Sequence, residues 1–417
     1  MANTSPPQRI DDADRVFDFR AHASLWFSLG VGLLVMQVGA YLVPAVGTSD
    51  AILAIVVGSV LGSALLAWTA KIACDTGLNS AGLMHHVYGS AFAKLPVLLN
   101  ITQLVGWTTF ELVVMRDGTQ AMGTQAFGWL PSLSTAVFAT LLWGIVLTAL
   151  MRGSMLGLVR NFVSRFGLPL VIASLLWISY QFWGILQTKG AQAFWQRSGD
   201  GSMGLLSAID LVMAMPVSWL PLIADYARHG QSGTSSWKGT WLGYAIANAW
   251  CYALGVLIAS VTESGTDLVT ALLVAQGGLI ALGLILLDEM DNAYGDVYSA
   301  AVSSNSLLSR ISIQTWGVGI AVVCTILALF LPMHDLEPFL LKLSSVFIPL
   351  YGVILGTLAF NDQLEENTPT VHWHSAVIWL IGIGVFHSLA IWMPQWGSSI
   401  PSLLITFVLA WLMRKKV

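Results

Sequence analysis

Between Leu286 and Ser304 the sequence reads LLDEMDNAYGDVYSAAVSS, which sets Asp288, Glu289, Asp291 and Asp296 inside an otherwise apolar run. An ionised carboxylate at bilayer depth is costly, so such groups face a polar cavity and mark an ion or substrate path. Asp288, Asn292 and Asp296 fall at i, i+4 and i+8, and Asp291 sits one position before Asn292. Gly295 allows a close backbone approach or a local break. Oxygen ligands suit a hard cation, whereas a protonatable carboxylate carries a coupling proton instead. Both readings use Asp288, Asp291 and Asn292, and they predict different ion dependence.

A second constellation lies in NITQLVGWTTFELVVMRDG, where Gln103, Trp107 and Glu111 also fall at i, i+4 and i+8. A helix here presents an amide, an indole and a carboxylate along one face. The ring can stack a flat heterocycle while the polar groups hydrogen-bond ring nitrogens and exocyclic amines. The alternative turns Trp107 towards lipid and pairs Glu111 with Arg116 or Lys342.

The frame for these groups is a membrane. The 417 residues are 56% hydrophobic and 10% charged, far below the soluble average of about 25% charged. Trp favours membrane interfaces and Gly and Pro are tolerated in membrane helices, which fits 18 Trp, 39 Gly and 14 Pro. A net charge of -4 gives no basic surface for nucleic acid. Cys74, Cys251 and Cys324 form no CxxC pair, so neither a disulfide framework nor a zinc site is expected and they are packing residues. No cleavable signal is apparent, and the first span is expected to direct its own insertion.

A span needs roughly 20 apolar residues. That criterion gives twelve: 25–47, 51–73, 96–121, 133–152, 162–186, 204–226, 239–262, 277–303, 314–333, 338–360, 373–393 and 398–413. With residues 1–24 as a cytoplasmic tail, the inner side carries Arg9, Arg15, Arg20, Lys71, Lys94, Arg152, Arg160, Arg165, Arg228, Lys238, Arg310, Arg414, Lys415 and Lys416. The outer side carries Lys189 and Arg197, so the positive-inside rule places both termini in the cytoplasm, in a cell inner (plasma) membrane.

Segments one and six are interrupted. LLVMQVGAYLVPAVG has Gln37 and Gly39 near its middle and Pro44 beyond, and IDLVMAMPVSWLPLIADYARHG has Pro216 and Pro221 near its centre. Breaks are expected at Gly39 and Pro216, since proline removes an amide donor and clashes with the preceding turn. Broken helices at corresponding positions of two halves point to an inverted-repeat secondary transporter with its site at the breaks. Other polar residues have plainer roles. His85 and His86 are expected in loop packing, His229 at solvent or headgroups, Asp225 and Arg228 as an i, i+3 pair or part of an inner gate, and 361–369 as a cytoplasmic loop.

AKIACDTGLNS, TQLVGWTTFE, MPVSWLPLIADYARHG and DNAYGDVYSAAVSS together resemble the nucleobase-cation symporter family of purine, cytosine and hydantoin permeases. MPVSWLPLIADY and DVYSAAVSS look most like its hydroxymethylpyrimidine branch, which handles the aminopyrimidine precursor of thiamine. The resemblance implies an all-α, leucine-transporter-type fold with two inverted five-helix repeats, 25–186 and 204–360, and two extra helices in 373–413. It implies that Trp107 stacks the ring and that Glu111 stands where the hydantoin-type pattern carries an amide. Gln37, Ser218, Trp219 and Asp296 are the nearest matches to other substrate contacts, with Met215 or Pro216 as alternatives in segment six. The family's sodium site would fall near Met36 and Asp291, but Met290 and Asp291 replace small hydroxyl residues there, so sodium and proton coupling both stay open. The expectation is an ion-coupled symporter, not an enzyme, importing hydroxymethylpyrimidine or cytosine by alternating access without cofactor or obligate protein partner. The rivals are an amino acid or amine transporter of the same fold and, remotely, an intramembrane hydrolase using Asp288 and Asp296, although no GxGD-type companion is seen.

Overall fold

The computed structural model describes residues 9–155, 167–263, 266–331, 336–360 and 368–413. Arg160, Arg165, Arg414, Lys415, Lys416, the start of the fifth expected segment and most of the 361–369 loop lie outside them. The helices are α1 Phe19–Ser28, α2 Leu33–Ala45, α3 Thr48–Thr76, α4 Ser80–Tyr88, α5 Lys94–Phe127, α6 Leu133–Leu150 and α7 Leu168–Lys189. They continue as α8 Ala191–Gln196, α9 Leu205–Ser218, α10 Leu220–Ala227, α11 Gly233–Val261, α12 Leu268–Val274 and α13 Gly278–Leu307. The last are α14 Ile313–Phe330, α15 Leu336–Leu358, α16 Trp373–Trp392 and α17 Ser399–Met413.

Among the described residues, nine spans, α9 and α10 forming one of them, are long and apolar enough to cross a membrane, and the bent pair α1–α2 makes a tenth. The acid-bearing α13 and the shorter apolar α17 take the positions of the eighth and twelfth expected segments. The chain is therefore a multi-pass membrane protein. α6, α7 and α16 leave large apolar side chains such as Ile145, Trp183 and Leu380 exposed, as a lipid-facing ring requires.

The interior is built from α1–α3, α5, α9–α11, α13 and α15. α11 lies along α3, α1 and α2, and α13 lies along α5. Two glycines let α2 and α11 approach closely: a β-carbon at Gly39 would overlap the backbone of Tyr252, and one at Gly255 the carbonyl of Met36. Gly39 is thus a packing point within α2, and the break falls earlier, at 29–32, where α1 and α2 meet at 60°. Val43, before Pro44, has non-helical φ/ψ of −119° and 127° near the far end of α2.

The sixth segment breaks at Trp219, between α9 and α10, with Pro216 still inside α9. The cause is Pro221, which has no amide to offer Val217 and whose ring crowds that carbonyl. Gly295 lies in continuous α13, where its carbonyl accepts a 3.0 Å hydrogen bond from the Tyr226 hydroxyl. The helix does not break there, and a β-carbon at Gly295 would meet only ordinary contacts, the nearest being the Tyr226 hydroxyl at 3.5 Å.

The segment before α1 is strapped onto the start of α11. Phe17 N–H donates to the His229 carbonyl at 2.9 Å, and Gln231 N–H returns a 2.9 Å bond to the Phe17 carbonyl. Arg15 Nη1 donates to the Cys74 carbonyl at 2.7 Å. His229 is consequently buried, with Nδ1 3.1 Å from the Asp14 carbonyl, and does not stand in solvent or headgroups. His85 and His86 lie on α4, a helix within the connection expected to be a loop. Asp225 forms no salt bridge with Arg228. Its carboxylate accepts from Ser80 N–H at 3.0 Å and from the Ser299 hydroxyl, tying α10 to α4 and α13.

Candidate functional site

The break between α1 and α2 is held from α13. α2 starts at Gly32, which has no side chain to cap the exposed amides, and helix starts leave such donors unpaired. Glu289 supplies the acceptor from another helix, taking the Leu33 N–H. Asn292 Nδ2 donates to the Val31 carbonyl at 3.2 Å and lies 3.4 Å from Glu289 Oε2. On the neighbouring face of α13, the Ser28 hydroxyl at the end of α1 lies 2.8 Å from Asp288 and 3.3 Å from Asp291. The acidic stretch therefore divides between the two ends of the broken helix, and the positive end of α2 favours the Glu289 carboxylate.

Beside this hinge is a cavity of about 30 Å³. Its walls include Trp107 and Glu111 of α5, Ser218 and Trp219 at the second break, and Glu289, Asn292 and Asp296 of α13. Leu29, Gly32, Leu34 and Val35 close it from the first break, with Met215 from α9. Trp107 Nε1, Glu111 Oε2 and Asn292 Oδ1 are buried without hydrogen-bond partners, an arrangement that costs free energy unless a ligand or solvent completes it. Glu111 also lies in the field of Asp296 and Glu289.

Several expected contacts meet here, and others do not. Trp107, Glu111, Ser218, Trp219, Asn292 and Asp296 share the cavity. The Ser218 hydroxyl is turned back onto the Met215 carbonyl at 2.7 Å. Gln103 is outside the lining, its amide nitrogen 3.0 Å from Asn100, which in turn reaches the Pro221 carbonyl. Gln37 is not at the break; it bonds the Tyr41 hydroxyl at 2.7 Å and faces a second, much larger space. Glu111 has neither alternative partner, since Arg116 bonds Asp117 and the Ala328 carbonyl and Lys342 is exposed. Trp107 is buried, with the Phe339 ring edge-on at 5.1 Å. Met36 and Asp291 are not joined by a hydrogen bond; Met36 packs on Gly255 and Asp291 lies at Ser28. Among the described residues no group of three or more His, Cys, Asp or Glu could hold a metal ion.

The second space is a vestibule of about 1420 Å³, lined among others by Gln37, Tyr41, Phe110, Gln120, Arg197 and Thr270. Leu34 borders both spaces. Leu34 thus stands between the vestibule and the polar cavity.

Two interrupted helices around a buried polar cavity define a transporter fold, and solved structures share it. Mhp1, a nucleobase-cation-symport-1 family transporter, in a closed conformation with bromovinylhydantoin bound, superposes with a TM-score of 0.79 at 15% identity, over 99% of this chain and 94% of that one. The inward-facing conformation of Mhp1 gives 0.77 at 15% identity, over 99% and 92%. A Na+-coupled sialic acid symporter gives 0.65 at 12% identity, over 97% and 90%. The leucine-transporter-type architecture is thus the one observed. No curated protein sequence gives a significant match. Residues 9–407 match the family described as permease for cytosine/purines, uracil, thiamine, allantoin, and the chain belongs to that family. It is a transporter and not an enzyme.

Proposed function

We propose that this permease is an ion-coupled symporter importing a planar aminopyrimidine, of which hydroxymethylpyrimidine and cytosine are the representatives. The observation that carries the reading is the cavity itself, which is lined by the indoles of Trp107 and Trp219 together with Glu111, Asn292 and Asp296. An aromatic ring supplies stacking, and carboxylates accept from an exocyclic amine. The cavity is smaller than a pyrimidine ring, so binding must displace its walls. Leu34 and Trp219, each at a helix break, are the walls placed to move.

In this reading residues 25–186 and 204–360 are the two inverted repeats, 373–413 adds two helices, and both termini lie in the cytoplasm of an inner (plasma) membrane. The vestibule then opens outward. Asp288 and Asp291 share the Ser28 hydroxyl at the end of α1, so loading a proton or a cation there biases the hinge. Gln103 acts through Asn100 and the α10 carbonyl of Pro221, and Gln37 acts in the vestibule.

Uptake into vesicles tests the reading. Labelled hydroxymethylpyrimidine, cytosine and a purine are offered with sodium removed or the proton gradient collapsed. Saturable uptake of an aminopyrimidine that fails under one of those conditions is expected. Failure of every heterocycle to be transported or to compete overturns it.

A further inference from the structure

The charges around the cavity do not balance. Glu111, Glu289 and Asp296 line it, and none of its described lining residues is basic. Cys251 of α11 lies behind Gly32 and adds no positive charge. α9 and α10 contribute Met215 and the uncharged residues of the break, and α2 contributes apolar side chains. Arg116, the nearest arginine along α5, is engaged by Asp117 and a carbonyl.

Of the three carboxyls, Glu289 is already answered. It accepts the Leu33 amide and meets Asn292 at the positive end of α2. Glu111 and Asp296 have no such compensation, and Glu111 Oε2 is bare of hydrogen bonds. Buried charges left unpaired are strongly unfavourable. A neutral pyrimidine makes this worse, because its unprotonated ring nitrogens present lone pairs to carboxylate lone pairs. A ring protonated beside its amine instead presents two N–H donors and a positive charge. A carboxylate accepts such a fork in parallel, as it does from arginine. The faces of Trp107 and Trp219 attract a cation further.

We propose that the species recognised and carried is the heterocycle in its cationic form, an aminopyrimidinium-type ion held between Glu111 and Asp296, with the coupling proton riding on the ring. This rests on the aminopyrimidine reading above and deepens it. The ring takes its proton from the medium before binding and surrenders it after release, so one positive charge crosses per ring. The pH dependence of uptake then belongs to the solute, rising as the medium falls through the basicity of that ring.

The test uses the full chain in proteoliposomes with 2-aminopyrimidine, cytosine and 2-aminopyridine, each protonated beside its amine and in order of rising ring basicity. The pH midpoint of uptake is expected to climb in the same order. Benzamidinium, charged throughout the working range and carrying the same two-donor fork, should compete at every pH, and uptake should be electrogenic without sodium. Glu111→Gln should lower the preference for charged over neutral rings by about ten- to a hundredfold, and an unchanged size-exclusion profile of the variant reports an intact fold. One midpoint shared by all three rings would place the proton on the protein and overturn the proposal while leaving an aminopyrimidine permease in place. So would a neutral ring that competes better than its charged counterpart. If no ring is transported or competes, the aminopyrimidine reading falls as well.

Discussion

The carboxylate of Glu289 accepts the N–H of Leu33, so a side chain on α13 caps a helix that begins without a cap of its own. The same residue lines the polar cavity. The geometry of the break and the cavity are therefore mechanically one unit.

Removing that acceptor should loosen the hinge. Glu289→Ala is expected to destabilise the protein by about 1–3 kcal/mol, the cost of an unpaired buried donor. Glu289→Gln, which keeps an oxygen, should fall between Ala and the parent. Thermal unfolding of the detergent-solubilised protein orders the three, and an unchanged Ala variant would dismiss the cap.

Trp107 offers its ring to the cavity while Phe339 braces it from the side. Trp107→Ala should raise the KM for uptake roughly tenfold, as loss of a stacking aromatic does. Trp107→Phe should recover most of that. A Phe339→Ala variant should show a smaller rise in KM, because it frees the indole without removing it. Equal KM for all three would show that the ring is not stacked there.

Gly39 and Gly255 let α2 and α11 touch backbone to backbone. Even Gly39→Ala places a methyl group against the Tyr252 carbonyl, with an expected cost of about 1–3 kcal/mol from overpacking. Reduced yield of folded protein, read by size-exclusion chromatography, checks this. A parallel Gly184→Ala substitution, where a β-carbon meets open space, should leave the yield unchanged.

Acid should weaken the strap that joins Phe17 to the start of α11. Burial, reinforced by the Arg228 charge, lowers the pKa of His229 from 6.5 to about 4. The unfolded chain therefore takes up this proton before the folded one does. The stability associated with neutral His229 is complete above about pH 6.5 and is lost as pH falls towards 4, by up to about 1.4 kcal/mol per pH unit. Unfolding midpoints across that window should drop less in His229→Gln than in the parent.

Much of the frame was legible from the chain. Hydropathy located the crossing segments, and the prolines announced an interruption in segment six, although it falls at Trp219, two residues before Pro221, and not at Pro216. Segment one misled because glycine recurs along it. Gly39 looks like a weak point, yet it is where α11 packs, and the break needed the tertiary partners Glu289 and Asn292 to exist. The residues that line the cavity were sorted less well for a geometric reason. Positions i, i+4 and i+8 drift by about 80° around a helix, whereas i, i+3 and i+7 stay within about 60°. Glu289, Asn292 and Asp296 follow the second spacing and share the cavity; Asp288 follows the first and turns to Ser28. Gln103 leaves the Trp107–Glu111 face by the same drift. The i, i+3, i+7 pattern in DEMDNAYGD was the available signal for Glu289.

Leu34, common to the vestibule and the cavity, sets a boundary that matters for pharmacology. A ring with a long substituent can lodge its head in the polar cavity and leave its tail across Leu34 in the wide space beyond. On the proposed function such a molecule would prop the passage open and become a plug where the bare ring is cargo. On that function, chain length on the ring would be the variable that separates an antimetabolite the permease admits from a blocker it cannot swallow.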